Sequence, residues 1–160
     1  MRRRLEMDVL LVTGGAGFIG ANFVQDWLEQ SDEPVLNLDK LTYAGSLENL
    51  AGVASRSHHV FVQGDIGDAA LVRALLAEHR PRAVVHFAAE SHVDRSIAGA
   101  EAFVQTNIVG TYRLMEAVRA YWQELESEAR ARFRFLHVST DEVYGSLEPG
   151  APAFDESHPY

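Results

Sequence analysis

The sequence predicts an α/β protein: a doubly wound parallel sheet with helices on both faces. Three observations predict it. Apolar runs of strand length recur along the chain, segments with helical spacing separate them, and a glycine-rich turn joins the first run to the first helix. The runs are continuous rather than alternating, the pattern of strands buried on both faces of a parallel sheet.

The first strand is Val9–Val12. The stretch before it begins Met1-Arg2-Arg3-Arg4-Leu5-Glu6, but the following run contains Asp8 and flows into the glycine-rich turn, so it reads as a strand and not a signal peptide. Helix Phe18–Glu29 follows, with Ile19, Phe23, Val24, Trp27 and Leu28 at apolar positions. Strands Val35–Leu38 and Val60–Val62 come next, then helix Ala69–Glu78 with Leu71, Val72, Leu75 and Leu76. The fourth strand is Ala83–Phe87. The longest helix, Ala102–Leu125, spans about six turns and ends in the charged stretch Glu124–Arg132. The fifth strand is Phe133–Val138, and the two prolines and glycine of Glu148–Phe154 make a loop. Five strands give one half of a doubly wound fold and the start of the second. The chain reaches its end at "DESHPY" without a sixth, so the expectation is a partial domain.

Composition bounds the function. Of 160 residues, 47% are hydrophobic and 23% charged, enough for one globular core. A net charge of -9 argues against nucleic-acid binding, which needs a basic stripe. There is no cysteine, hence no disulfide framework and no thiolate chemistry. No apolar run reaches the roughly 18 residues of a membrane span, and a soluble cytoplasmic protein is expected. Seven histidines raise the question of a metal. His58 and His59 are adjacent, His86 and His137 fall in apolar strands as satisfied core residues, and no H-E-x-x-H is present, so no metal site is expected.

The chemistry begins at "LLVTGGAGFIG". Gly15, Gly17 and Gly20 fit G-x-G-x-x-G, and Gly14, Gly17 and Gly20 fit G-x-x-G-x-x-G, after a strand and before a helix. In that context glycines let the backbone approach a pyrophosphate, and the helix N-terminus stabilises its charge. Asp39 ends strand two, 19 residues beyond Gly20, where an acid bonds a ribose hydroxyl pair. It would repel a 2′-phosphate, so NAD is favoured over NADP; Lys40 beside it weakens that preference. This is a Rossmann-type site. Asp65 ends strand three, where an acid sits near the adenine, whereas Asp68 reads as a helix N-cap. After strand four the small residues Ala88 and Ala89 leave room for a ligand, and Glu90, Ser91, His92, Asp94 and Arg95 form a polar cluster. Strand five opens into Ser139, Thr140, Asp141 and Glu142. A turn needs only one such acid, and two adjacent carboxylates repel, so this pair calls for a function.

The motifs "TGGAGFIG", "LDKLTYAGSLENL", "GDI", "AAESHVDRSI", "TNIVGTYRLMEAVR" and "STDEVYG" together resemble the extended short-chain dehydrogenase/reductase family and, within it, the dTDP-glucose 4,6-dehydratases. The resemblance spans essentially the whole chain. Its first motif is shared by the whole extended family, whereas "AAESHVDRSI" and "STDEVYG" separate this group from the epimerases. It implies NAD as cofactor and a nucleotide sugar, dTDP-glucose, as substrate in a deoxysugar (rhamnose) route. Phe18 and Ile19 would contact the pyrophosphate; Asp39, Lys40, Leu41 and Thr42 would surround the ribose; Asp65 and Ile66 would flank the adenine. Phe87, Ala88, Ala89, Glu90 and Ser91 would line the cofactor together with Thr106. Ser91 and Thr140 would also reach the sugar, and Asp141 and Glu142 would be the catalytic acid and base.

That chemistry explains the acid pair. The C5 proton of glucose becomes acidic only once C4 is a ketone. One carboxylate then removes it while a protonated carboxyl group releases the C6 hydroxyl as water. Two acids in one low-dielectric pocket take opposite protonation states. Sequence alone leaves open which holds the proton; the resemblance makes it Asp141, with Glu142 the base. The family oxidises C4 with a Tyr-x-x-x-Lys pair, which this chain does not contain: Tyr144 belongs to the "VYG" turn, and Tyr160 matches a tyrosine that precedes the family's catalytic one. The 160 residues are therefore expected to be an amino-terminal NAD-binding domain, without the carboxyl-terminal substrate domain and inactive alone. Two alternatives stand: a UDP-glucose 4,6-dehydratase or another nucleotide-sugar enzyme of the same fold, and a non-catalytic NAD-binding module. The resemblance also implies a homodimer through the long helix, with Tyr112, Leu114, Met115 and Val118 as its apolar face; packing of these residues on the domain's own sheet is the equal alternative.

Overall fold

The computed structural model describes residues 9–92 and 99–160. Its elements are β1 (Leu10–Thr13), α1 (Phe18–Gln30), β2 (Val35–Asp39), a 3-10 turn (Leu47–Leu50), β3 (His59–Gln63), α2 (Ala69–His79), β4 (Ala83–His86), α3 (Ala100–Phe103), a π-helical segment (Val104–Gly110), α4 (Thr111–Glu124), α5 (Ser127–Arg132), β5 (Arg134–His137) and a final 3-10 turn (Asp141–Tyr144). All five strands are parallel, in the order β3-β2-β1-β4-β5, the doubly wound arrangement expected. The order reverses between β1 and β4, the switch point at whose carboxyl ends open α/β sheets bind ligands.

Alternating residues of the central strands feed two cores. Leu11, Leu36, Leu38 and Val84 pack with Val72 and Leu76 of α2 and with Leu114 and Val118 of α4. Leu10, Val12, Val35 and Val85 pack with Val24 and Leu28 of α1 and with Leu50 and Val53. Burying both faces is what the continuous apolar runs require, and it holds for β1, β2 and β4, all of whose residues are buried. The outer strands depart from it. Val60 in β3 is 40% exposed and Leu136 in β5 is 54% exposed, because each strand has a neighbour on one side only. His137 is likewise exposed rather than a core residue, with its ring 5.0 Å from that of His86.

Local signals account for the helix ends. Asp68 caps α2, its Oδ1 accepting from the Ala70 and Leu71 N–H groups at 3.0 Å, as its sequence reading expects. Arg80 closes α2 in the left-handed conformation (φ 46°) and Pro81 follows. The single long helix expected over Ala102–Leu125 is a continuous helical run from Ala100 to Glu124, interrupted by the π-helical segment. The charged stretch after it contains α5, anchored by Arg130, whose side chain donates to the Gln123 and Leu125 carbonyls. The four residues expected to share an apolar face are split. Leu114 and Val118 are buried in the domain's own core, whereas Tyr112 and Met115 are exposed. Among the described residues no helix is long and apolar enough to cross a membrane.

Candidate cofactor site and acid pair

The glycine turn sits where β1 ends, pressed against the loop after β4. Gly14 has φ 74°, and a methyl group on it would lie 2.5 Å from the Ala88 backbone nitrogen, so both conformation and space demand glycine. A methyl group on Gly20 would run into the Gly14 carbonyl, which is how α1 starts so close to the strand. The turn is also fixed from the β2 side. The Ala16 N–H donates to Asp39 Oδ2 (2.8 Å), and the Ala16 carbonyl accepts from the Ser46 N–H (3.0 Å) and from Asn49 Nδ2 (2.8 Å). Asp39 Oδ1 accepts from the Leu41 N–H (2.8 Å), holding Leu41 at φ 56°, an uncommon conformation for a leucine. Asp39 is thus a buried brace between two loops. Phe18 (82%) and Ile19 (63%) stand exposed at the start of α1, and Thr42 is exposed.

At the end of β3, Asp65 Oδ2 pairs with Lys40 Nζ at 2.7 Å, and Asp65 Oδ1 accepts from the Gly67 N–H at 2.7 Å. Partial burial alone would raise the Asp65 pKa. The Lys40 hydrogen bond, the Gly67 N–H and the charges of Lys40 and Arg113 outweigh it and hold the carboxyl below the usual carboxylate range. Lys40, Asp65, Gly67, Gln105, Thr106 and Arg113 line a recess of about 290 Å³. Ile66 beside it is buried.

After β4, Phe87, Ala88 and Glu90 are half-buried, and Ala89, Ser91 and His92 are exposed. Asp94 and Arg95 lie outside the described residues. This loop is held by a residue the sequence reading passed over. Asn107, in the π-helical segment, accepts from the Glu90 N–H through Oδ1 and donates to the Glu90 carbonyl through Nδ2, both at 2.8 Å. It stands next to Thr106 in "TNIVGTYRLMEAVR", but an asparagine within a helical pattern gives no sign that it grips a distant backbone. Below the loop, buried His86 spans the sheet and α4, with Nδ1 2.6 Å from Thr13 Oγ1 and Nε2 3.0 Å from Thr111 Oγ1. Burial, then the nearby His137, lowers its pKa to about 4, so the ring is neutral near pH 7.

Thr140, Asp141 and Glu142 follow β5 at the same carboxyl edge. Thr140 caps the 3-10 turn, its Oγ1 accepting from the Glu142 N–H at 3.3 Å and lying 3.4 Å from Asp141 Oδ1. All three residues are exposed, so the described residues do not form the low-dielectric pocket expected around the acids. The reason is again the edge position of β5, whose carboxyl end nothing among the described residues overhangs.

The family model of GDP-mannose 4,6 dehydratase matches residues 11–160. This chain belongs to that family. Among curated relatives, a dTDP-glucose 4,6-dehydratase of Xanthomonas campestris pv. campestris (strain B100) is 60% identical over 155 residues, covering 96% of this chain and 43% of the relative. Among solved structures, DesIV, a dTDP-glucose 4,6-dehydratase from Streptomyces venezuelae with NAD and TYD bound, superposes with a TM-score of 0.82 at 46% identity, covering 94% of this chain and 44% of that one. The UDP-glucose 4-epimerase of Thermus thermophilus in complex with NAD superposes with a TM-score of 0.77 at 32% identity, over 94% and 43% of the two chains. The chain thus spans less than half the length of these dehydratase-family relatives. Its glycine turn is packed so closely on the loop after β4 that the space beside Gly14, filled by the Phe87 and Ala88 backbone, admits no side chain.

Proposed function

We propose that this chain is the cofactor-holding part of an NAD-dependent dTDP-glucose 4,6-dehydratase, with residues 1–160 belonging to its NAD-binding domain and the nucleotide of the substrate held by a further domain. One observation carries the reading. The glycine turn, the Asp39 brace and the Thr140-Asp141-Glu142 turn line up along one carboxyl edge of the sheet, in a chain 60% identical to a protein of that name. NAD, when bound, would supply the hydride acceptor for C4 of the sugar and the hydride donor for C6.

The chain's own residues do the rest. Gly14, Gly17 and Gly20, with Phe18 and Ile19, receive the pyrophosphate at the start of α1. Asp39, with Lys40, Leu41 and Thr42 around it, takes the ribose hydroxyls and disfavours a 2′-phosphate. Asp65 and Ile66 flank the adenine, and Phe87 to Ser91 line the cofactor together with Thr106. Thr140 and Ser91 hold the sugar. Glu142 removes the C5 proton of the 4-ketone, Asp141 gives a proton to the departing C6 hydroxyl, the C6–O bond breaks and a C5–C6 double bond forms. Closing the acid pair off from water, by substrate and the rest of the protein, gives the two carboxyl groups their opposite protonation states. The exposed residues Val104, Ile108, Tyr112, Met115 and Trp122 recur at helical spacing along the long helix and supply the face for a homodimer. We assign the protein to the cytoplasm, where its nucleotide substrate and NAD are available.

One observation favours a second reading, a non-catalytic NAD-binding module. Asp141 and Glu142 are both exposed, so the described residues give the acid pair no closed site for an elimination. Incubation with NAD and dTDP-glucose, with UDP-glucose as the alternative substrate, decides between them once the chain is joined to the carboxyl-terminal portion of a dTDP-glucose 4,6-dehydratase relative. Formation of the 4-keto-6-deoxy sugar from dTDP-glucose supports the dehydratase. Tight NAD binding with neither sugar converted supports the module. Conversion of UDP-glucose alone moves the enzyme to the other nucleotide.

A further inference from the structure

The single lysine stands beside the residue that reads the ribose, where a cation would accept the 2′-phosphate of NADP. In the structure it is turned elsewhere. Lys40 Nζ lies 2.7 Å from Asp65 Oδ2, across the recess at the end of β3. Asp65 is itself fixed, because its other oxygen accepts from the Gly67 N–H at 2.7 Å. The recess's other cation, Arg113, donates to the Gly67 carbonyl at 3.2 Å. Both oxygens of Asp39 already take backbone N–H groups, so its carboxylate stays where a 2′-phosphate would meet it.

We infer that Asp65 determines the preference for NAD over NADP at one remove, by holding the Lys40 ammonium away from the adenosine 2′-position. The inference rests on the NAD reading above and adds a specificity role for Asp65 to its place at the adenine. The two side chains are 56% and 42% exposed, so the pair contributes little to stability. Its consequence is positional: the lysine beside Asp39 is committed to a carboxylate whose charge also opposes a phosphate. With Asp65 neutralised, Lys40 is free to swing to the 2′-phosphate and form a charge-assisted hydrogen bond.

The test is the ratio of NADP to NAD affinity, measured by calorimetric titration of the full chain with each dinucleotide. Asp65→Asn keeps an oxygen for the Gly67 N–H and removes the charge. It changes adenine contacts equally for both dinucleotides, so the ratio isolates the 2′-phosphate. We expect Asp65→Asn to raise the ratio about tenfold, Lys40→Met alone to change it by less than about twofold, and the double variant to return it to the starting value. A ratio unmoved by Asp65→Asn, or a rise that persists in the double variant, overturns the inference. So does a fall of about fivefold or more with Lys40→Met alone, which would mean that Lys40 already serves the 2′-phosphate; this arm stands even where Asp65→Asn does not fold. Failure of the unsubstituted chain to bind NAD overturns the cofactor reading and this inference with it. NAD binding with an unchanged ratio overturns this inference alone.

Discussion

Asp39 and Ala16 are joined by a hydrogen bond of 2.8 Å, from the Ala16 N–H in the glycine turn to Asp39 Oδ2 at the end of β2. The acid proposed for the ribose is therefore also the brace of the glycine turn. Asp39→Asn can keep only one of its two backbone bonds, because the amide nitrogen faces a donor. Hydrogen bonds to a charged group contribute about 1.5–3 kcal/mol, and a loss of that order is expected in urea unfolding, together with weaker NAD binding in titration.

Gly14→Ala meets two penalties. The left-handed conformation costs a non-glycine residue about 1–2 kcal/mol, and the added methyl group would meet the Ala88 backbone at 2.5 Å. Unfolding experiments should show a loss greater than the conformational cost alone, and NAD titration a loss of binding, since either the turn or the loop after β4 must shift.

His86 makes stability depend on pH. Its folded-state pKa of about 4 lies below the ordinary 6.5, so the unfolded chain takes up the proton first as pH falls. The contribution is fully present above about pH 6.5, declines towards pH 4 and levels off below it. The slope is at most about 1.4 kcal/mol per pH unit, or about 3 kcal/mol in all. Urea unfolding at a series of pH values, compared with His86→Gln, should show this decline in the unsubstituted protein and its absence in the variant.

Asn107 holds the loop after β4 by two hydrogen bonds to the Glu90 backbone. Asn107→Ala leaves both backbone groups without that partner, at a cost of about 1–3 kcal/mol. Amide hydrogen exchange should speed up at Glu90 in the variant and stay unchanged at Leu36, in the core of β2.

The sequence made the centre of this fold readable and its margins less so. The runs at Leu10–Thr13, Val35–Asp39 and Ala83–His86 are buried on both faces, which is what a continuous apolar run signals. The run at Phe133–Val138 looks the same but lies at an edge, because strand order is a property of the assembled sheet and not of any one segment. The glycine turn and Asp39 were legible because strand, turn and acid come at a set spacing. The Lys40–Asp65 pair and the Asn107 grip were not, since each joins residues from separate loops or helices. The π-helical segment and α5 leave no distinctive period in a stretch this polar or this short.

The account rests finally on the acid pair. Supplied with dTDP-4-keto-glucose in deuterated water, the protein meets a substrate already oxidised at C4, so the C5 step can be read without the C4 oxidation. Deuterium exchange at C5, followed by NMR, measures proton removal alone. The account predicts exchange that Glu142→Gln slows by about 10²–10⁴-fold while NAD affinity is unchanged. Exchange no faster than in buffer, or equally fast in the Glu142→Gln protein, would contradict the role given to Asp141 and Glu142 and leave a chain that binds NAD without performing the elimination.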